Sequence, residues 1–180
     1  AERDSLTHRL EHLAYHDALT GLGNRAMFEA AVDAALGQRS GSRRDGFVSI
    51  VLVDLDGFKE VNDAHGHSAG DEVLVTVADR LSTCVRGDDT VARFGGDEFA
   101  LVLAQDAEQA EAVAWRIVEL LARPFDVGGS TVQVGASVGV ATTAVGETGG
   151  GDLLRRADVA MYRAKANGKN HVVVHAGATA

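Results

Sequence analysis

The sequence predicts an α+β domain with a mostly antiparallel central sheet and flanking helices. Three observations lead there. Residues 47–55 (Phe-Val-Ser-Ile-Val-Leu-Val-Asp-Leu) are nearly continuous in apolar side chains, as in a central strand buried on both faces. Residues 90–94 and 98–103 read as two strands joined through Gly95-Gly96, a pair that reaches the positive φ of a tight hairpin turn without a Cβ clash. Residues 68–84, 107–121 and 153–166 carry apolar residues at helical spacing. With the alternating strand over 131–142, these give in chain order strand, helix, hairpin, helix, strand, the pattern of a ferredoxin-like sheet with helices on one face.

The elements follow in sequence. Leu6, Leu10 and Leu13 share one helical face within residues 1–15, which form either a helix packed on its own domain or the end of a longer coiled coil. Asp17 to Arg25 is a glycine-bearing turn, and Asn24 is placed to cap a helix over residues 25–36. A polar loop over 38–46 leads into the buried strand, which ends in Asp54 and Asp56. Carboxylates at the end of a buried strand are costly unless paired or metal-bound, so a structural role for both is not expected. A short helix with Phe58, Lys59 and Val61 follows, then a polar loop through His65-Gly66-His67 and a helix over 68–84 with Val73, Leu74, Val77 and Leu81 inward. After the hairpin, the helix over 107–121 buries Val113, Ile117, Leu120 and Leu121, while Trp115 either covers that core or marks an exposed contact. Pro124 precedes a short strand over 125–127, and Gly128-Gly129 turns the chain into an alternating strand over 131–142. Residues 146–151 read as a flexible loop, Asp152 as the cap of the last helix, Asn167-Gly168 as its stop, and 171–175 as a closing strand. No internal repeat is present. The chain divides into a linker helix (1–15), one domain (16–175) and a tail (176–180).

Bulk properties narrow the function. A chain of 180 residues, 46% hydrophobic and 24% charged, has ordinary globular composition. Its net charge of -9 argues against a binder of nucleic-acid backbones, though a divalent cation can reverse the local field for a nucleotide. The single Cys84 allows no internal disulfide or multi-cysteine zinc site and reads as a buried thiol. No apolar run approaches the roughly 18 residues of a membrane span, and no signal peptide opens the chain. A cytoplasmic domain with no direct membrane contact is expected, with an upstream anchored sensor segment allowed.

The candidate chemistry sits at two strand tips. The buried strand and the hairpin would be neighbours in the sheet, bringing Asp54, Asp97 and Glu98 together with no Lys or Arg placed by the motif to neutralise them all. Oxygen-only, carboxylate-rich sites suit Mg²⁺ or Mn²⁺ alongside substrate phosphates. Alternation along a strand would start Asp97 and Glu98 on opposite faces unless the turn twists them. Lys59, at a helix start beside Asp54, offers a point charge to a phosphate, and the backbone N–H groups there add an anion site. Lys165 and Lys169 could reach the same phosphates; singly, each of the three lysines reads as a surface side chain. Asn62 and Asp71 together suit guanine, through an amide and a carboxylate that accepts from its N–H donors. Taken singly they read as caps. His67 is a loop residue or a ligand contact, and its type does not choose.

Four ordered motifs carry a resemblance. Arg93-Phe-Gly-Gly-Asp-Glu-Phe99 resembles the signature of the GGDEF family of diguanylate cyclases. Asp54-Leu-Asp-Gly-Phe-Lys-Glu-Val-Asn-Asp63 with Gly66-His-Ser-Ala-Gly-Asp71 resembles its second motif, Asp17 to Arg25 its N-terminal turn, and Ala160 to Asn170 its C-terminal motif. The likeness covers roughly residues 15 to 175. It implies a nucleotidyl-cyclase-type fold with a catalytic hairpin and an N-terminal signalling helix. It further implies Mg-dependent condensation of two GTP into cyclic di-GMP with release of two pyrophosphates, by two domains facing each other in a homodimer.

Carried over by position, Asp54, the Leu55 carbonyl, Asp97 and Glu98 would hold the metal, with Asp97 also the base toward the ribose 3′-hydroxyl. Asn62, His67 and Asp71 would hold the base and sugar end of GTP. Lys59, Lys165, Lys169, Phe58 and the Gly57 backbone would meet the phosphates; many relatives carry Arg at the last lysine, so a bidentate fork becomes a point charge. Arg86-Gly-Asp-Asp89 fits the family's RxxD inhibitory site for cyclic di-GMP, and is otherwise an exposed turn. The competing function is a catalytically silent sensor of GTP or cyclic di-GMP acting on a partner, which the full set Asp54, Asp97, Glu98, Lys59, Asn62 and Asp71 disfavours. A purely structural dimerisation module would leave the buried-strand carboxylates unexplained.

Overall fold

The computed structural model describes residues 14–37 and 46–176. Most of the expected linker helix (1–15), nearly all of the polar loop over 38–46 and most of the tail therefore lie outside the described residues. Asn24 caps α1 (Arg25–Gly37) as expected, its Oδ1 accepting from the Met27 N–H at 3.1 Å. The chain then forms β1 (Phe47–Asp56), α2 (Phe58–His65), α3 (His67–Ser82), β2 (Thr90–Gly95), β3 (Glu98–Leu103) and α4 (Ala107–Leu121). It closes with β4 (Phe125–Val127), β5 (Ser130–Val132), β6 (Gly135–Ala144), α5 (Gly150–Ala166) and β7 (His171–Val174).

The main sheet has the order β2-β3-β1-β6-β7. All its pairs are antiparallel except β6 with β7. Its first four strands are the ferredoxin-like core, and β7 extends it beyond β6. β4 and β5 form a separate two-stranded ribbon.

Helices cover both faces of this sheet, which corrects the one-face expectation. Val51, Val53, Leu101 and Val138 belong to a core completed by α2, α3 and α4. Ile50, Leu52, Ala100 and Val102 belong to a second core with Phe28 of α1 and with Leu153, Ala157 and Met161 of α5. The cause is visible in β1, whose nearly continuous apolar run is buried from Val48 to Leu55 and needs cover on both sides. The two crossover helices of the ferredoxin-like unit supply only one.

Smaller corrections share a cause in where partners change. The strand expected over 131–142 breaks at Gln133–Val134, because β5 pairs with β4 whereas β6 pairs with β1. His67 opens α3, leaving Gly66 (φ 86°) as the whole connection from α2. Asp152 does not cap the last helix, which starts earlier at Gly150; it sits in the first turn and pairs with Arg155 and Arg156 at 2.6 and 2.7 Å. Cys84 is buried and free, as expected. Among the described residues, no helix is long and apolar enough to cross a membrane.

Candidate active site at the strand tips

The hairpin turn lies one residue later than the glycine pair suggested. Gly95 pairs with Glu98, so Gly96 and Asp97 form the two-residue loop, and the register shifts between Arg93 and Gly95. Gly95 (φ 127°) and Gly96 (φ 53°) both take positive φ, which their missing Cβ allows. The shift takes Asp97 out of the strand and into the turn, freeing it from strand alternation.

Glu98 stays in the strand, directly opposite Asp54 on β1. Residues opposite each other in an antiparallel pair share a face, and like charges there repel. Asp97 is tied to the same strand end through its backbone, its carbonyl accepting from the Leu55 N–H at 3.1 Å. Asp54, Asp97 and Glu98 therefore act on one another electrostatically, as the sequence led us to expect.

One cation sits among them, which leaves in place the expectation that no Lys or Arg neutralises all three. Lys165, on the last turn of α5, places its Nζ 2.7 Å from Asp54 Oδ2. Burial nevertheless pushes the Asp54 carboxyl above its ordinary value of 3.8, and Asp97 and Glu98 push the same way, against the hydrogen bond and charge of Lys165. Burial works against the Lys165 charge, but Asp54, then Asp97 and Glu98, outweigh it and raise the ammonium. Three carboxylates against one lysine leave the tip over-supplied with negative charge. That donor set, all oxygen, fits a hard divalent cation. Among the described residues, however, no three His, Cys, Asp or Glu side chains are gathered closely enough to hold one as they stand.

The Asp54 shift has a consequence for stability. An acid whose folded pKa lies above its unfolded value disfavours folding while ionised, so stability rises as pH falls through the folded pKa toward 3.8. Asp54→Asn should therefore raise the melting temperature of the metal-free domain at pH 7. The gain should shrink on acidification, as read by calorimetry across pH. A fall in melting temperature at pH 7 would show that the Lys165 pair dominates instead.

Asp17 shows the opposite sign. Burial opposes its charge, but hydrogen bonds from Thr20 and Arg93 prevail and lower its pKa. The stabilisation it provides is present above 3.8 and lost as pH falls through its folded value. Arg93 meets both Asp17 oxygens at 3.1 Å and donates to the Gly96 carbonyl through Nε (3.1 Å) and an Nη (2.9 Å). The Arg93 N–H also donates to the Gly23 carbonyl at 2.8 Å. The N-terminal turn and the hairpin tip are thus one hydrogen-bonded unit. The two motifs lie 76 residues apart at Asp17 and Arg93, and nothing local to either pairs them.

The remaining expected residues fall into separate places. Gly57, in the left-handed region (φ 83°), opens α2. Phe58 turns its ring into the core, leaving only its backbone to the turn. Lys59, His67 and Asp71 are exposed and Asn62 is half-buried. Gly70 of α3 lies so close to Asn62 that a Cβ there would meet Asn62 Oδ1 at 1.9 Å, so this glycine sets the position of the amide. Lys169 and Gly57 line a cavity of about 470 Å³ with Asp56, Glu60 and Asn170. Glu98 lines another of about 340 Å³, with Arg25, Phe94 and Met161. Neither cavity includes Asn62, His67 or Asp71.

Arg86 lines a third cavity, about 400 Å³, together with Gln105, Gln109 and Arg116. Arg116 was not singled out in the sequence, where it is one more charge on an amphipathic helix. Asp89 uses its own carboxylate internally, accepting from the Arg86 N–H at 2.9 Å and the Ala104 N–H at 3.3 Å. Asp56, expected not to be structural, has conventional partners too. It accepts from Ser137 Oγ and the Asn170 N–H.

Comparison with known proteins agrees with this geometry. The family described as diguanylate cyclase, GGDEF domain, matches residues 14–171. The chain is 43% identical over 159 residues to the diguanylate cyclase TpbB of Pseudomonas aeruginosa, covering 87% of this chain and 36% of TpbB. It is 37% identical over 175 residues to the diguanylate cyclase DgcM of Escherichia coli, covering 96% and 41%. The solved GGDEF domain of TpbB superposes with a TM-score of 0.79 at 38% identity, over 88% of this chain and 99% of that one. The coiled coil and GGDEF domain of DgcB from Caulobacter crescentus, solved with c-di-GMP, superposes at 0.83 with 29% identity, over 96% and 93%. The fold these likenesses support is a mostly antiparallel sheet with flanking helices. This chain belongs to the diguanylate cyclase GGDEF domain family. It spans less than half the length of these two curated relatives.

Proposed function

We propose that the domain condenses two GTP into cyclic di-GMP, releasing two pyrophosphates, as the output domain of a longer cytoplasmic signalling protein. The observation that carries this reading is Asp54 facing Glu98 across β1 and β3, with Asp97 in the adjoining turn. In each half of the reaction a ribose 3′-oxygen attacks the α-phosphorus of the other GTP, and the bond to pyrophosphate breaks. Asp97 takes the 3′-hydroxyl proton. Mg²⁺ or Mn²⁺, held by Asp54, the Leu55 carbonyl, Asp97 and Glu98, would supply charge stabilisation at the attacking and leaving oxygens.

Asn62, His67 and Asp71 take the base and sugar end, with Gly70 keeping Asn62 in place. Lys59, Lys165 and Lys169, with the backbone at Gly57 and Phe58, take the phosphates. Lys165 would then exchange Asp54 for a phosphate oxygen when substrate and metal arrive. One domain offers one such set, so closing a two-GTP ring needs two copies facing each other. A rate that rises more steeply than protein concentration, with product separated by HPLC, is the expected signature. A guanine-nucleotide-binding chain that makes no cyclic di-GMP at any concentration with Mg²⁺ or Mn²⁺ would favour the silent sensor instead.

The same reading assigns Arg86 and Asp89 to product inhibition. The cavity beside Arg86 and Arg116 supports a site for an anionic ligand, and Asp89 fixes the turn that presents Arg86. Arg86→Ala should weaken inhibition by cyclic di-GMP about 10-fold or more, the scale of one lost charged hydrogen bond. Equal inhibition of the variant and the parent would remove this assignment.

A further inference from the structure

Asp56 lies two residues beyond Asp54, and strand alternation puts both on the face covered by α5. By sequence it is a second strand-end carboxylate for which a structural role is not expected. The structure spends it otherwise. Its two oxygens lie 3.0 and 2.8 Å from the hydroxyl of Ser137, a fully buried residue of β6. Its Oδ2 also accepts from the Asn170 N–H at 2.8 Å.

That second bond lands on an unusual piece of backbone. α5 ends in a turn in which the Lys169 N–H donates to the Ala164 carbonyl at 3.2 Å. Lys169 (φ 64°) and Asn170 (φ 47°) then both occupy the left-handed region before β7 begins. Two consecutive side-chain-bearing residues rarely adopt it, and they persist only where surrounding contacts hold them. The contacts here are Asp56 on the Asn170 amide and the Asn170 Oδ1, 3.4 Å from the Ala136 N–H. The turn they fix carries Lys169 and directly follows the helical turn that carries Lys165.

We propose that Asp56 is a positioning residue, a latch that holds the Lys169–Asn170 turn so that Lys165 and Lys169 face the substrate phosphates. The inference rests on the function proposed above. It separates the two aspartates of one strand: Asp54 meets metal and substrate, and Asp56 aims the lysines.

The test uses the whole chain with three measurements: Mn²⁺ affinity, affinity for a non-hydrolysable GTP analogue in saturating Mn²⁺, and hydrogen exchange at residues 168–172. Asp56→Ala should leave Mn²⁺ affinity within about twofold, weaken the analogue about 10-fold and speed exchange of the Asn170 amide. Adding Asn170→Gly to Asp56→Ala should recover part of the analogue affinity, because glycine enters the left-handed region without the strain that asparagine carries there. A residue needed only for global stability would gain no such rescue. Loss of Mn²⁺ binding in Asp56→Ala would make Asp56 a ligand and overturn the proposal. So would faster Asn170 exchange with unchanged analogue affinity, or failure of the glycine rescue. A parent chain that binds Mn²⁺ but no analogue would sink the functional reading itself, a result distinct from any of these.

Discussion

Asp97→Ala is expected to reduce cyclic di-GMP formation from GTP by about 10³-fold or more, with the fold intact. The size follows from what is removed at once, a proton acceptor worth roughly 10²–10⁴-fold and one carboxylate of the proposed metal set. Its harmlessness to the fold follows from geometry. Asp97 lies in a two-residue turn and holds it through its backbone carbonyl, bonded to the Leu55 N–H, which alanine retains. It lacks the positive φ that would make alanine strained there. Glu98→Ala is a useful contrast, because Glu98 lies in β3 opposite Asp54. HPLC of product at saturating GTP, with circular dichroism of the same samples, measures both claims. Product formation by Asp97→Ala at the parental rate would end the assignment of Asp97 as base.

The position of Asp97 also shows how far the sequence could be read. The pair of tips was legible, because a buried strand ending in an acid and a hairpin opening on two acids must meet in a ferredoxin-like sheet. The division of labour between Asp97 and Glu98 was not. It depends on a one-residue offset of the turn, which the irregularity at Arg93 and Gly95 creates and no local propensity reports. Lys165 was legible as a phosphate contact, but its bond to Asp54 requires α5 to lie across the sheet. The ferredoxin-like pattern covers one face only, although the nearly continuous apolar run of β1 demands cover on both. The partners of Asp56 are hidden for a related reason: Ser137 and Asn170 lie 81 and 114 residues away, beyond any local pattern. The Asn24 cap and the Gly128-Gly129 turn depend on neighbouring residues and were legible, whereas the Asp152 cap and the exact place of the hairpin turn were not.

The contact that brings α5 across the sheet makes the other large prediction. Gly139, mid-strand in β6, lies so close to α5 that a Cβ on it would sit 2.2 Å from the Met161 nitrogen and 2.3 Å from the Ala157 carbonyl oxygen. Both are backbone atoms, so no rotamer change can relieve the clash. Gly139→Ala must therefore push α5 off the sheet, opening the packing of Leu153, Ala157 and Met161 over Leu52 and Ala141. We expect a loss of about 3–5 kcal/mol, the upper range for overpacking and core disruption. At 2–4 °C per kcal/mol for a domain this size, the melting temperature should fall by roughly 10 °C. Lys165 rides on the same helix, so whatever fraction remains folded should also lose the 2.7 Å pair with Asp54 and most turnover. Gly151→Ala is the matched control: it lies in the same helix with open space around its Cβ position. There alanine should be neutral or stabilising by up to about 1 kcal/mol. Melting of Gly139→Ala at the parental temperature would mean that α5 does not approach β6 this closely, and the placement of Lys165 over Asp54 would fall with it.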